Sequence, residues 1–131
     1  MNTNGLFEMT YYAGKAIGLR MTDLASRQIS QGVSPHAVIY RNDAGGDSVF
    51  DPFNYGADSI QLMAWCEMHI QCMDGAVSIT SPRLSTDLIV DYDKYASREQ
   101  AIRAAVLLVA ATIGYGMEVD RLAKRDAEND S

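Results

Sequence analysis

Residues 97–114 read SREQAIRAAVLLVAATIG, and this stretch decides the fold. Ser97 stands where a helix N-cap belongs, and Gln100 follows at the capping-box spacing. Between Ala101 and Ile113 only Arg103 and Thr112 are polar. A helix that is apolar on nearly every side must be covered on nearly every side. The run falls short of the roughly 20 apolar residues that span a bilayer, and Gly114 and Gly116 supply a helix-stop signal. The stretch therefore predicts a central core helix over 97–114, around which the other elements must be arranged.

Working upstream, Asp87–Tyr92 (DLIVDY) and Ala76–Thr80 (AVSIT) read as strands. The turn 81–85 holds Pro82, so 76–92 is expected to be an antiparallel hairpin. Before it, Leu62, Trp65, Cys66, His69 and Met73 share one side at helical spacing, predicting a helix from about Ala57 to Cys72. Asp58 is favourable in its first turn. The segment 51–56, DPFNYG, reads as a loop carrying Phe53 and Tyr55. His36–Tyr40 is a compact β-type run, 42–48 (NDAGGDS) a turn cluster, and Val49–Phe50 resumes a strand. Near the N-terminus, 6–12 is open between strand and helix. Ala13–Gln31 has a helical stripe weakened by Gly14 and Gly18, and Thr22 offers an alternative cap. Those glycines, one turn apart, mark either a broken helix or a site of close backbone approach. The tail 117–128 is charged and helix-compatible, and 1–5 and 126–131 are expected to fray.

The sum is one α+β domain over 1–131, a small antiparallel or mixed sheet covered by about three helices. A chain of 131 residues suits a single core, and 47% hydrophobic against 21% charged residues describes a globular protein. The net charge of −6 and pI near 4.7 disfavour bulk binding to nucleic acid or anionic membranes. The N-terminus has no basic n-region or apolar h-region, and the two cysteines read as free thiols, so a cytoplasmic location is expected, in the host cell if the chain is phage-encoded.

Several constellations carry chemistry in principle. Cys66, His69 and Cys72 are metal-ligating types at three-residue steps, and a tetrahedral site would need Asp, Glu, water or His36 as its fourth ligand. On one helix they would fan too widely for a single ion. No metal and no cofactor is therefore expected. Asp87 and Asp91 share a strand face and, with Asp51 and Asp93, supply enough acids for a magnesium site or an acid–base pair. With His69 they would make a small metal-dependent hydrolase. The ordinary reading is polar residues on an outer strand face. Gly45–Gly46 lacks the Gly-Lys-Ser/Thr of a phosphate loop. Arg98 and Arg103, at the start of the core helix beside Tyr92 and Tyr95, either solvate the helix end, the ordinary reading, or hold a small anion or nucleotide, Phe53 and Tyr55 adding stacking faces. Arg121, Lys124 and Arg125 form a basic spot expected to pair with Glu118 and Asp120.

Two segments, Phe50-Asp-Pro-Phe-Asn-Tyr-Gly-Ala-Asp58 entering a helix and the hairpin 76–92 followed by the small-residue helix start Ala101-Ile-Arg-Ala-Ala105, together resemble the NinX-like, phage alpha–beta–alpha sandwich proteins. The likeness covers about 45–115. It implies a compact α/β sandwich and no catalytic set. The expectation is then a non-enzymatic phage or prophage accessory protein, a homo-oligomer that interferes with host defence by holding a nucleotide signal or covering a host protein. The alternatives are the hydrolase above and a structural or assembly protein of the virion.

Overall fold

The computed structural model describes residues 3–21 and 37–129. The expectations for 22–36, including the second half of the 13–31 helix, the Thr22 cap and His36, lie outside the described residues. The elements run α1 (Thr3–Ala16), β1 (Arg20–Met21), β2 (Val38–Arg41), β3 (Asp47–Phe50), α2 (Gly56–Trp65), β4 (His69–Cys72), β5 (Ala76–Thr80), β6 (Leu88–Asp91), a 3₁₀ turn (Tyr92–Lys94) and α3 (Arg98–Asn129). The class is α+β, as the sequence implies. Among the described residues there are two sheets instead of one, β1-β2-β3 and β4-β5-β6, each three-stranded and wholly antiparallel.

α3 is the hub. The Gln100 amide donates to Ser97 Oγ at 3.1 Å and the Ala96 amide to Gln100 Oε1 at 3.0 Å, so both halves of the capping box are made. Four consecutive residues, Ala104, Ala105, Val106 and Leu107, are buried, and at about 100° per residue they cover every side of the helix. α1, α2, β5 and β6 all pack against it, α1 most extensively. The core unites Leu6, Ala13 and Ile17 of the N-terminal region with Val38, Phe50, Leu62, Val77, Ile79 and the α3 apolar run.

α3 does not stop at the expected glycines; it runs on to Asn129. Gly114 is a contact residue instead. A Cβ there would lie 1.8 Å from the Tyr12 carbonyl oxygen and 3.2 Å from the Ala16 amide nitrogen of α1, so only glycine lets the two backbones meet. The tail 117–128 continues the same helix, and all residues from 119 to 129 are exposed. By length and composition α3 is long enough and apolar enough to cross a membrane, contrary to the estimate for 97–114 alone. Half of its apolar window is buried inside the protein.

Residues 6–12 are helical, within α1. α1 closes at Gly18, which sits at φ +82°, with the Leu19 amide donating to Gly14 O and the Gly18 amide to Lys15 O. Gly14 admits the side chain of Met21, not a second backbone.

The helix expected over 57–72 is corrected to α2 followed by β4. Glu67 takes φ +51°, its amide donates to Ala64 O and the Met68 amide to Met63 O. This is the glycine-type helix stop made by a glutamate. Without a glycine to mark it, the helical spacing of Cys66, His69 and Met73 looks continuous.

Gly114→Ala is expected to destabilise the protein by at least about 3 kcal/mol, because backbone cannot move aside for the new methyl as a side chain would. Gly116→Ala, with nothing among the described residues within 4 Å of its Cβ position, is expected to stabilise by roughly 1 kcal/mol through helix propensity. Urea denaturation of the two variants beside the parent checks both signs.

Candidate functional site

The turn from Asp51 to Asp58 is tied together by its own carboxylates. Asp51 is 0% exposed. Its Oδ2 accepts from Asn54 Nδ2 at 2.9 Å and its Oδ1 from the Asn54 amide at 3.3 Å. Its backbone carbonyl accepts from the amides of Asn54 and Tyr55. Asp58 reaches back from the first turn of α2 and accepts from the Asp51 amide at 2.9 Å. Burial pushes the Asp58 carboxyl above its ordinary value; that amide pulls it down, and the Asp51 charge adds to the rise. The segment read as an open loop is therefore a fixed turn that aims α2. Phe53 packs against the core, whereas Tyr55 is exposed.

Arg103 joins this turn to α3. Its Nη1 donates to the Asn54 carbonyl at 3.1 Å and lies 3.8 Å from Glu99 Oε1. Among the described residues its buried Nε and the buried Ser59 hydroxyl have no hydrogen-bond partner. Arg98 stacks over the ring of Tyr92, 5.0 Å from the centroid. Burial and the neighbouring Cys72 thiol raise the Tyr92 phenol, and Arg98 opposes the rise. Five helical steps take Arg98 to Arg103, about 140° round the axis, so the two arginines point apart instead of converging on one anion. Tyr95 is half-buried beyond the 3₁₀ turn.

The remaining sets are also spread by the fold. Cys66 is buried at the end of α2, where burial raises its thiol and Arg83 opposes that rise. His69 and Cys72 are three residues apart on β4, so their side chains leave opposite faces. They do not share one helix with Cys66, as the sequence suggested. His69 pairs with Thr80 and Asp91 with Ala76, at opposite ends of β5, about 13 Å apart along the strand. Asp87 lies before β6, Asp93 is exposed in the 3₁₀ turn, and Asp51 is committed to its turn. Among the described residues no group of three or more His, Cys, Asp or Glu side chains is placed to hold a metal ion.

Two features escape a reading of spacing alone. Glu118 sits between Lys15 Nζ at 3.2 Å and Arg121 Nη2 at 2.7 Å, so the basic spot does pair with Glu118, and an α1 lysine shares it. Hydrogen bonds from Arg121 and then Lys15 hold the Glu118 carboxyl down at about 2. For Lys15, desolvation lowers the ammonium pKa, and the bonds to Glu118 and Tyr11 more than reverse that. The second feature is the outer side of α2. Ala57, Ile60, Gln61, Ala64 and Trp65 are all exposed there and none is charged. Ile60 is 64% and Trp65 55% accessible. Helical spacing groups Trp65 with Leu62 and Cys66, yet those two are fully buried and Trp65 is not.

Compared with known proteins, the chain matches no family model, no curated protein and no solved structure.

Asp51→Ala is expected to cost about 2–3 kcal/mol, because it removes the buried carboxylate that accepts from the Asn54 amide and side chain, and to loosen the turn that sets α2. Hydrogen exchange at the Asn54 and Tyr55 amides checks the second part. The depressed Glu118 carboxyl contributes stability that is fully present above its ordinary 4.5 and is lost as pH falls toward about 2. The gap in denaturation midpoint between the parent and Glu118→Gln is therefore expected at neutral pH and should close near pH 2.

Proposed function

We propose that this protein acts by binding and covers a partner protein with the outer face of α2. The observation that carries this reading is that uncharged face, Ala57, Ile60, Gln61, Ala64 and Trp65, beside the exposed ring of Tyr55. Large apolar side chains held out on a short helix gain by leaving water, and tryptophan and tyrosine are the residues on which interface energies concentrate. The face is also presented rigidly. Asp51 and Asp58 lock the entry to α2, and the stop at Glu67 fixes its exit, so little ordering entropy is lost on docking.

The resemblance of 45–115 to the NinX-like phage proteins supports reading this as a phage or prophage accessory protein directed at a host protein. A nucleotide ligand is the weaker form of the reading. Arg103 already serves the Asn54 carbonyl and Glu99, and Arg98 the Tyr92 ring, so a phosphate would have to displace both.

Trp65 is the chain's single tryptophan, so its emission reports on this face alone. A partner is retained from bacterial host extract on immobilised protein, purified, and titrated against the parent and the Ile60→Asp/Trp65→Ala variant. The expected results are a blue shift of Trp65 emission in the parent and a loss of at least thirtyfold in affinity in the variant, about 2 kcal/mol. Undiminished binding by the variant, with an unchanged thermal midpoint, overturns the reading. Stabilisation by a nucleotide that is lost in Arg103→Ala would transfer it to the nucleotide form.

A further inference from the structure

The buried half of α3 has one open edge. Leu108 is half-buried and Thr112 exposed, whereas their neighbours from Ala104 to Gly114 are otherwise buried. That edge runs on without interruption along the exposed half. Leu108, Thr112, Tyr115, Val119, Leu122 and Asp126 follow at steps of three and four and fall within about 40° of one line on the helix. Tyr115, Val119 and Leu122 are exposed apolar residues. Steps of three and four with apolar residues at the centre describe the seam of a two-stranded coiled coil. α1 lies along one flank of this line, reached through Gly114 and Glu118; its Tyr12 packs edge-on to the Tyr115 ring, 5.3 Å between centroids, and Tyr115, Val119 and Leu122 all stay exposed.

We propose that the stripe 112–129 pairs with the same stripe of a second copy of this chain, antiparallel. The choice of partner and direction comes from complementarity. With the helices opposed so that Val119 faces Leu122 of the other copy, both apolar layers are filled twice by the two-fold symmetry. In that register Tyr115 faces Asp126 of the second copy, where its hydroxyl can donate to the carboxylate, and Thr112 faces Asn129. The flanking Glu118 meets Arg125, an opposite charge. Gly116 and Ala123, on the other flank, leave room for close approach. A parallel pair in heptad register would instead set Asp126 against Asp126, two like charges with no compensating cation at that layer.

The pairing is tested on the full chain carrying Cys72→Ser, which removes the exposed thiol and leaves the buried Cys66. Sedimentation equilibrium is expected to give twice the 14.4 kDa chain mass, and Val119→Asp/Leu122→Asp to give the chain mass with the same circular dichroism and thermal midpoint. Mixed Val119→Cys and Leu122→Cys proteins are expected to form a disulfide between unlike chains on mild oxidation, and each alone to form several-fold less. A parent that sediments as a single chain, an undiminished dimer in the double aspartate variant, or efficient disulfide formation by Val119→Cys alone overturns the proposal.

Discussion

The fold depends on one backbone contact, where α1 crosses α3 at Gly114. The Tyr12 carbonyl occupies the space that a side chain would take, and the Ala16 amide closes it from the other side. Small residues on both helices, Ala13 and Ala16 against the alanine-rich run 101–111, extend that closeness. Close-packed backbones gain many dispersion contacts at once. They also fix where α3 sits relative to the N-terminal region. Given that position, the remaining surfaces of α3 are divided: β5 and β6 take one part and α2 another. The wide burial of 104–111 follows from this arrangement of small side chains.

Most of the architecture was legible because its signals are local. The capping box at Ser97 and Gln100, the hairpin 76–92 and the turn 42–46 each depend on residues within a few positions of one another. In that last turn, Asn42 Oδ1 accepts from the Ala44 and Gly46 amides. What misled was glycine. Gly114 and Gly116 looked like a helix stop, yet no following residue turns the chain, and the first is needed for a tertiary contact that no local pattern announces. Conversely, Glu67 makes a real stop in a conformation that usually calls for glycine, so α2 and β4 merged into one helix on paper. The same merger placed Cys66, His69 and Cys72 together, and the real turn disperses them. The candidate site was legible only in part. The sequence Asp-Pro-Phe-Asn-Tyr-Gly-Ala-Asp reads as a presenter of aromatics, whereas its acids act inward, and Trp65, which helical spacing groups with Leu62 and Cys66, faces out while those two are buried. Helical periodicity assigns a face; which face meets the core is decided by the neighbours.

The turn and the helix it aims have complementary roles. Burying Asp51 is costly unless its oxygens are satisfied, and Asn54 satisfies them. Asp58, raised by burial, stays in place through its bond to the Asp51 amide. These polar interactions hold α2 at a set angle, which lets its outer face be apolar without α2 collapsing onto the core. The two arginines once grouped as an anion site are better understood in this light. Arg103 braces the turn against α3, and Arg98 covers Tyr92 beside the start of the same helix.

α3 carries two kinds of work because it is continuous. An isolated helix as short as 115–129 would be marginal in water, since nucleation is unfavourable and few hydrogen bonds offset it. Here the nucleus is already paid for by the buried half, and each further residue only propagates the helix. Glu118, bridged to Lys15 of α1 and to Arg121, anchors the first exposed turn to the body. The stripe of Tyr115, Val119 and Leu122 is thus preformed before anything meets it, and a surface already in its bound shape loses less entropy on association. A true stop at Gly116 would have ended the helix just beyond the core and left Val119 and Leu122 on a disordered tail. The glycine that brings α1 close and the absence of a cap after it are therefore two parts of one design: the first makes the hub, and the second carries the hub's open edge out into solvent.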